Sequence, residues 1–131
     1  MKKLGLTLAS LLLVFCFLFT GCSQYGKIKK AYEDAGYTES TKLEQYQSHI
    51  DNALAEEDKE SIAAMHLFTK DYVNVAIIVE FKTTEDLVEA IENSETLKGF
   101  IKDAQNSDYV NGNCVLIFWL LDGDTPFKSA K

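Results

Sequence analysis

Residues Val73, Val75, Ile77, Val79 and Phe81 alternate with their neighbours without a miss, the period of a strand that buries one face. The preceding run Ser61–Phe68 predicts a partner strand, joined to it through Thr69-Lys70-Asp71. Before this hairpin the period is helical. Ile28, Ala31, Tyr32 and Ala35 fall on one face, and Gly36 supplies a left-handed stop. A second helix is predicted over Lys42–Glu57, with Thr41 and Glu44 at capping-box spacing and Leu43, Tyr46, Ile50 and Leu54 as its apolar stripe. A strand near Tyr37–Leu43 is the competing detail.

Helix returns after Thr83, a natural N-cap. Leu87, Val88 and Ile91 form one stripe, and Leu97, Phe100, Ile101 and Ala104 form another. At about 100° per residue the two are offset by roughly 120°, so one straight helix cannot bury both. A break is therefore expected at Asn93-Ser94. The turn Asn111-Gly112-Asn113 leads into a last strand, Cys114–Leu121, whose eight apolar residues predict cover on both faces. The roughly 30 residues between the second strand and this one, helix included, favour a parallel pairing. The expected architecture is α+β: a mixed three-stranded sheet flanked by helices, in the order α-α-β-β-α-α-β.

The chain opens differently. Lys2 and Lys3 precede 16 residues, Leu4–Phe19, without a charge. That is short of the roughly 20 needed to cross a bilayer as a helix, and describes a secretory signal peptide. An uncleaved anchor is the competing reading. Thr20-Gly21-Cys22 resembles the lipobox of bacterial lipoproteins, although Phe19 stands where that family usually carries Leu. The resemblance implies diacylglycerol on the Cys22 thiol and cleavage between Gly21 and Cys22. Residues 1–21 would be a cleaved signal and 22–131 a single extracytoplasmic α+β domain, held on the outer side of the cell membrane by its lipid. Lys27, Lys29 and Lys30 would then lie near the headgroups, each contributing on the order of 1 kcal/mol at an anionic surface. The mature part resembles no characterised family.

All 13 basic residues are lysine, which suggests a low-GC, Gram-positive source. Removing Lys2 and Lys3 leaves 11 lysines against 20 acids, a formal charge of −9. Nucleic acid is therefore not an expected partner. With Cys16 in the signal and Cys22 lipidated, Cys114 is the single remaining thiol, and its apolar neighbours predict a buried residue.

Candidate chemistry is sparse. His49 neighbours Asp51, and His66 shares a predicted strand face with Ile62, Ala64 and Phe68; neither has a nucleophile at a recognised spacing. The run Glu56-Glu57-Asp58-Lys59-Glu60 and the pair Asp122/Asp124 offer oxygen ligands, but read as solvated ends and turns. No catalytic residue, metal site or cofactor beyond the covalent lipid is assigned. Trp119 and Tyr109 are the candidate contact residues, tryptophan being enriched at binding hot spots. The favoured reading is a membrane-anchored, non-catalytic module that engages a protein or envelope component. The alternatives are an enzyme using a histidine or carboxylates, and an immunity-type self-protection lipoprotein.

Overall fold

The computed structural model describes residues 24–131. Gly21, Cys22 and the expected signal segment lie outside the described residues. The chain runs through a helix over 24–34 (α1), β1 (Thr38–Ser40), a 3-10 turn at Leu43–Tyr46, α2 (Gln47–Ala53) and a second 3-10 segment, Glu56–Ser61. It continues through β2 (Ile62–Lys70), β3 (Asn74–Phe81), α3 (Thr84–Glu92) and α4 (Glu95–Phe100). A third 3-10 turn (Ala104–Asn106), β4 (Val110–Asn111), β5 (Cys114–Leu120) and α5 (Thr125–Ser129) complete it.

The α+β class stands, but the sheet has five strands in the order β1-β2-β3-β5-β4, and every pairing is antiparallel. The expected three-stranded mixed sheet and its parallel β3–β5 pair are thus corrected. The reason lies in the excursion between them. Asn93 ends α3, and Ser94 starts α4 by accepting from the Leu97 N–H at 3.0 Å. Two short helices replace one crossover, and the chain returns to the end of β3 that it left. The Phe81 N–H donates to the Asn113 carbonyl at 2.8 Å, and Glu80 pairs with Cys114. The Asn93-Ser94 break is where the offset stripes place it, and the Thr83 hydroxyl caps α3 by accepting from the Asp86 N–H.

The expected second helix is shorter than its stripe. Only Gln47–Ala53 is α-helical, no side chain caps its start, and Leu54 leaves it extended. α1 ends as predicted. Gly36 takes φ +92°, while the Tyr37 N–H reaches the Tyr32 carbonyl (2.9 Å) and the Gly36 N–H reaches Glu33 (3.0 Å), both carbonyls of the last turn.

Helices cover both faces of the sheet. On one, Ile28 and Tyr32 of α1 and Phe127 of α5 pack on Phe68, Ala76, Ile78, Cys114 and Leu116. On the other, α2, α3 and α4 set Ile50, Leu87 and Leu97 against Val75, Ile77, Val79, Phe81, Val115 and Ile117. The β3–β5 register shifts between Ile77 and Ile78, so that Ile77 faces Phe118 while Ile78 faces Leu116. That bulge places Ile117 and Phe118 on the same side, and turns Trp119 to the α1/α5 side instead of continuing the Val115/Ile117 set.

Candidate interaction site

The β2–β3 turn is built without glycine. The Val73 N–H donates to the Lys70 carbonyl at 3.3 Å, and both central residues are left-handed: Asp71 at φ 56° and Tyr72 at φ 64°. Positive φ at both positions suits the twist of an antiparallel hairpin, which is why such turns prefer Asn-Gly or Asp-Gly. A tyrosine there is an outlier that costs on the order of 1–3 kcal/mol. Its ring is fully exposed, and Val73 beside it is 51% exposed.

β5 ends at the same end of the sheet. Leu120 pairs with Val75, and the Asp122 N–H donates to Asn74 Oδ1 at 3.1 Å. Leu121 is the third left-handed non-glycine residue, at φ 53°. It is 69% exposed and Leu120 is 42% exposed, so the four most exposed large apolar side chains among the described residues gather at one tip. Soluble domains display contiguous apolar surface chiefly where something binds.

Carboxylates border this tip along the chain: Asp71 precedes Tyr72 in the turn, and Asp122 and Asp124 follow Leu121. Burial raises the Tyr37 phenol above its usual range, and the charges of Asp122, Asp124 and Asp71 raise it further. Asp124 is paired with Lys128 at 2.9 Å. Among the described residues Asp71 and Asp122 have no ion-pair partner. Lys70 turns inward, its ammonium 2.7 Å from the Ala35 carbonyl.

The tip rests on a stiff base. Tyr32 is buried, stacks on Phe68, and donates from its hydroxyl to the Gly123 carbonyl at 2.6 Å; the Tyr37 hydroxyl donates to the Asp122 carbonyl at 3.1 Å. Trp119 and Tyr109, the two aromatics singled out in the sequence, stack on each other with centroids 4.8 Å apart. Phe100 meets Trp119 edge-on, and the Lys128 ammonium sits over Tyr109. Both candidates are half-buried in this cluster, immediately before Leu120 in the case of Trp119. Tyr72 and Val73 are not marked as contact residues by the sequence pattern, and Leu121 is marked only as part of an uncovered face of the last strand. Val73 was expected on the buried strand face, and Leu121 inside the last strand. The only sequence signal for the tip was Leu120-Leu121 running straight into the turn residues Asp122-Gly123-Asp124.

The remaining candidates make contacts within the scaffold. His66 lies between Glu39 (Nδ1 to Oε2, 3.0 Å) and Glu80 (Nε2 to Oε1, 3.4 Å), with Tyr25 stacked on its ring at 3.7 Å. With both nitrogens facing carboxylates and one ring face covered, it clasps α1 to β1 and β3. Ile62 is not on its face, because a bulge between Ile62 and Ala64 turns Ile62 to the other core. His49 is exposed and stacks on Phe118 at 4.1 Å. In the acidic run, Asp58 is buried and accepts from Asn93 Nδ2, while Lys59 bridges Asp51 (2.5 Å) and Glu56 (3.2 Å). No group of three His, Cys, Asp or Glu side chains among the described residues could hold a metal ion. Lys27, Lys29 and Lys30 are exposed on α1, with Lys29 near Glu39 (4.0 Å) and Lys30 paired with Asp34 (3.2 Å).

Cys114 is buried as predicted, and burial followed by the Glu80 charge pushes its thiol up from about 9 to about 12. The thiol is therefore protonated and shielded at neutral pH. Labelling with an aromatic disulfide at pH 8 is expected to leave it unmodified in the native protein and to modify it fully in denaturant; fast native labelling would contradict the burial.

A cleft of about 250 Å³ lies at the opposite end of the sheet, between α3 and β4, lined by Leu87, Val88, Ala104, Val110 and Asn111. It is smaller than the ~300–1,000 Å³ typical of ligand pockets. Asn111 Nδ2 is buried with no acceptor among the described residues. The one ionisable group on the cleft wall, the Lys131 ammonium, is given to the Ser107 carbonyl at 2.5 Å. Compared with family models, curated proteins and solved structures, the chain finds no match.

Proposed function

We propose that the mature chain is a lipid-tethered, non-catalytic interaction module on the outer side of the cell membrane, and that it engages its partner through the tip formed by Asp71–Val73 and Leu120–Asp122. The observation that carries this reading is Tyr72: a large aromatic ring held fully in water by a backbone conformation that tyrosine rarely adopts.

The position of the tip suits a tether at Cys22. Gln24 of α1 packs on Gly112, where an added Cβ would come within 2.8 Å of its Cγ. α1 therefore begins at the β4–β5 turn, and β5 runs from that turn to the tip. Seven strand residues at about 3.3 Å each separate the two ends by roughly 20 Å. Cys22 is two positions before Gln24, and two residues reach no further than about 7 Å. A lipid on Cys22 would thus hold the entry end at the membrane and point the tip away from it.

Replacing Tyr72 by the photoreactive residue p-benzoylphenylalanine keeps a large aromatic side chain at the tip. Irradiating intact cells is expected to give a discrete higher-mass adduct from position 72. The same residue placed at exposed Glu85 on α3 should give none. Equal adducts from both positions, or none from either, would refute docking at the tip.

A further inference from the structure

The tip also carries information about what it binds, on the assumption that it is the docking surface proposed above. Its apolar centre is Tyr72, Val73, Leu120 and Leu121, and its collar is Asp71 and Asp122, both exposed and both without a cation among the described residues. Lys128 is paired with Asp124, and the Lys70 ammonium donates to the Ala35 carbonyl and lies 5.8 Å from the centre of the Tyr37 ring, outside ion-pair distance of Asp71 and Asp122. An apolar surface with unpaired carboxylates at its rim penalises three possible occupants by like charge or by desolvation. An anionic lipid surface repels Asp71 and Asp122. A second copy of the chain brings the same collar against itself. A partner whose own rim is uncharged leaves two carboxylates desolvated without compensation. What complements all four apolar side chains and both charges is apolar side chains flanked by cations.

We infer that the tip docks a protein segment that presents apolar side chains bordered by lysine or arginine. The cations set the encounter rate and the register, and the apolar side chains, with Tyr72 as anchor, set the residence time.

The test uses the full-length chain in nanodiscs of zwitterionic phosphatidylcholine, which removes lipid charge as a variable. The probes are three synthetic nonapeptides with one Leu-Phe-Ile core, flanked on both sides by lysines, glutamines or glutamates. At 50 mM salt the lysine-flanked peptide is expected to bind at least 10-fold more tightly than the glutamine-flanked one, and the glutamate-flanked peptide most weakly. Raising salt to 500 mM should erase most of that order. Asp71→Asn with Asp122→Asn should bring the lysine and glutamine peptides within 2-fold of each other. Tyr72→Gly should weaken the lysine-flanked peptide at least 10-fold. That variant creates Asp-Gly, the favoured pair for this turn, and should raise Tm, so a loss of binding cannot be a loss of fold.

Equal binding of the lysine and glutamine peptides overturns the basic-rim inference. If the position-72 cross-link forms all the same, docking at the tip survives it. Failure of all three peptides to bind, or self-association abolished by Tyr72→Gly, likewise overturns the inference; the second result assigns the tip to another copy of the chain. Absence of the cross-link in cells removes the reading beneath it.

Discussion

Gly123→Ala is expected to lower Tm by more than 10 °C. Built on the existing backbone, the new Cβ would sit 1.8 Å from the Val75 carbonyl oxygen, 2.7 Å from its carbon and 3.1 Å from the Leu120 carbonyl oxygen. These are backbone atoms of two paired strands, and Val75 and Leu120 face each other in register. No rotamer change can clear them, so the Asp122–Asp124 segment must lift away. Lifting it strains or breaks four hydrogen bonds at once: Tyr32 Oη to the Gly123 carbonyl, Gly123 N–H to Leu120, Asp122 N–H to Asn74, and Tyr37 Oη to the Asp122 carbonyl.

Overpacking alone costs roughly 1–3 kcal/mol, and each lost bond about 0.5–1.5 kcal/mol, more where a buried group is left unpaired. About 3–5 kcal/mol is a large part of the roughly 5–15 kcal/mol that keeps a domain of this size folded. At about 4–8 °C per kcal/mol the change is easily read by circular dichroism. Gly99→Ala is the control. Gly99 lies in α4 with nothing within 4 Å of an added Cβ, so alanine there should be neutral or stabilising by about 0.5–1 kcal/mol. A Gly123→Ala protein melting within 2 °C of the wild type would mean that this close approach does not exist.

The same glycine shows what a sequence can and cannot display. Asp122-Gly123-Asp124 reads correctly as a turn, yet nothing in it says that the Gly123 backbone lies against β3. That is a tertiary fact, and so is most of the tip. A strand's period reports its own faces, which is why β3 was legible from Val75 to Phe81. The same holds for α3 and α4: two stripes offset by roughly 120° require a break, and Asn93-Ser94 is where it falls.

Direction and register are less accessible. The excursion from Phe81 to Cys114 has the length of a crossover, and nothing in its pattern shows that it re-enters beside the end of β3 it left. In Cys114–Leu120 every residue is apolar, so the bulge at Ile117-Phe118 leaves no trace in the pattern, and Trp119 could not be assigned a face. β1 and β4 have three and two residues, too few to show any period. α5 does carry a signal: Asp124-Thr125-Pro126 puts proline in the first turn, where its missing N–H costs nothing. Tyr72 is the opposite case. Local preference puts Gly or Asn at its position, and the protein keeps tyrosine there. Sequence rules are expected to fail where a residue serves something other than folding.

The second large effect concerns the tether. Cys22→Ser is expected to remove the processed form of the protein from the membrane fraction altogether. A single acyl chain binds a bilayer only marginally, with K about 10⁴ M⁻¹, whereas the two chains of a diacylglycerol hold stably. The lysines of α1 cannot stand in for them. At about 1 kcal/mol each near an anionic surface, Lys27, Lys29 and Lys30 together supply no more than roughly 150-fold in partition, and Lys29 and Lys30 already face Glu39 and Asp34. Serine can accept neither the thioether-linked lipid nor, in consequence, the cleavage that follows it, so the variant should accumulate at precursor size with residues 1–21 still attached. Replacing the three lysines by glutamine should change the partition of the lipidated protein by far less, leaving it in the membrane fraction. Fractionation with an immunoblot distinguishes the two. A Cys22→Ser protein found in the membrane at the processed size would show that something other than lipid on Cys22 holds the chain there, and with it would go the argument that the tip faces away from the bilayer.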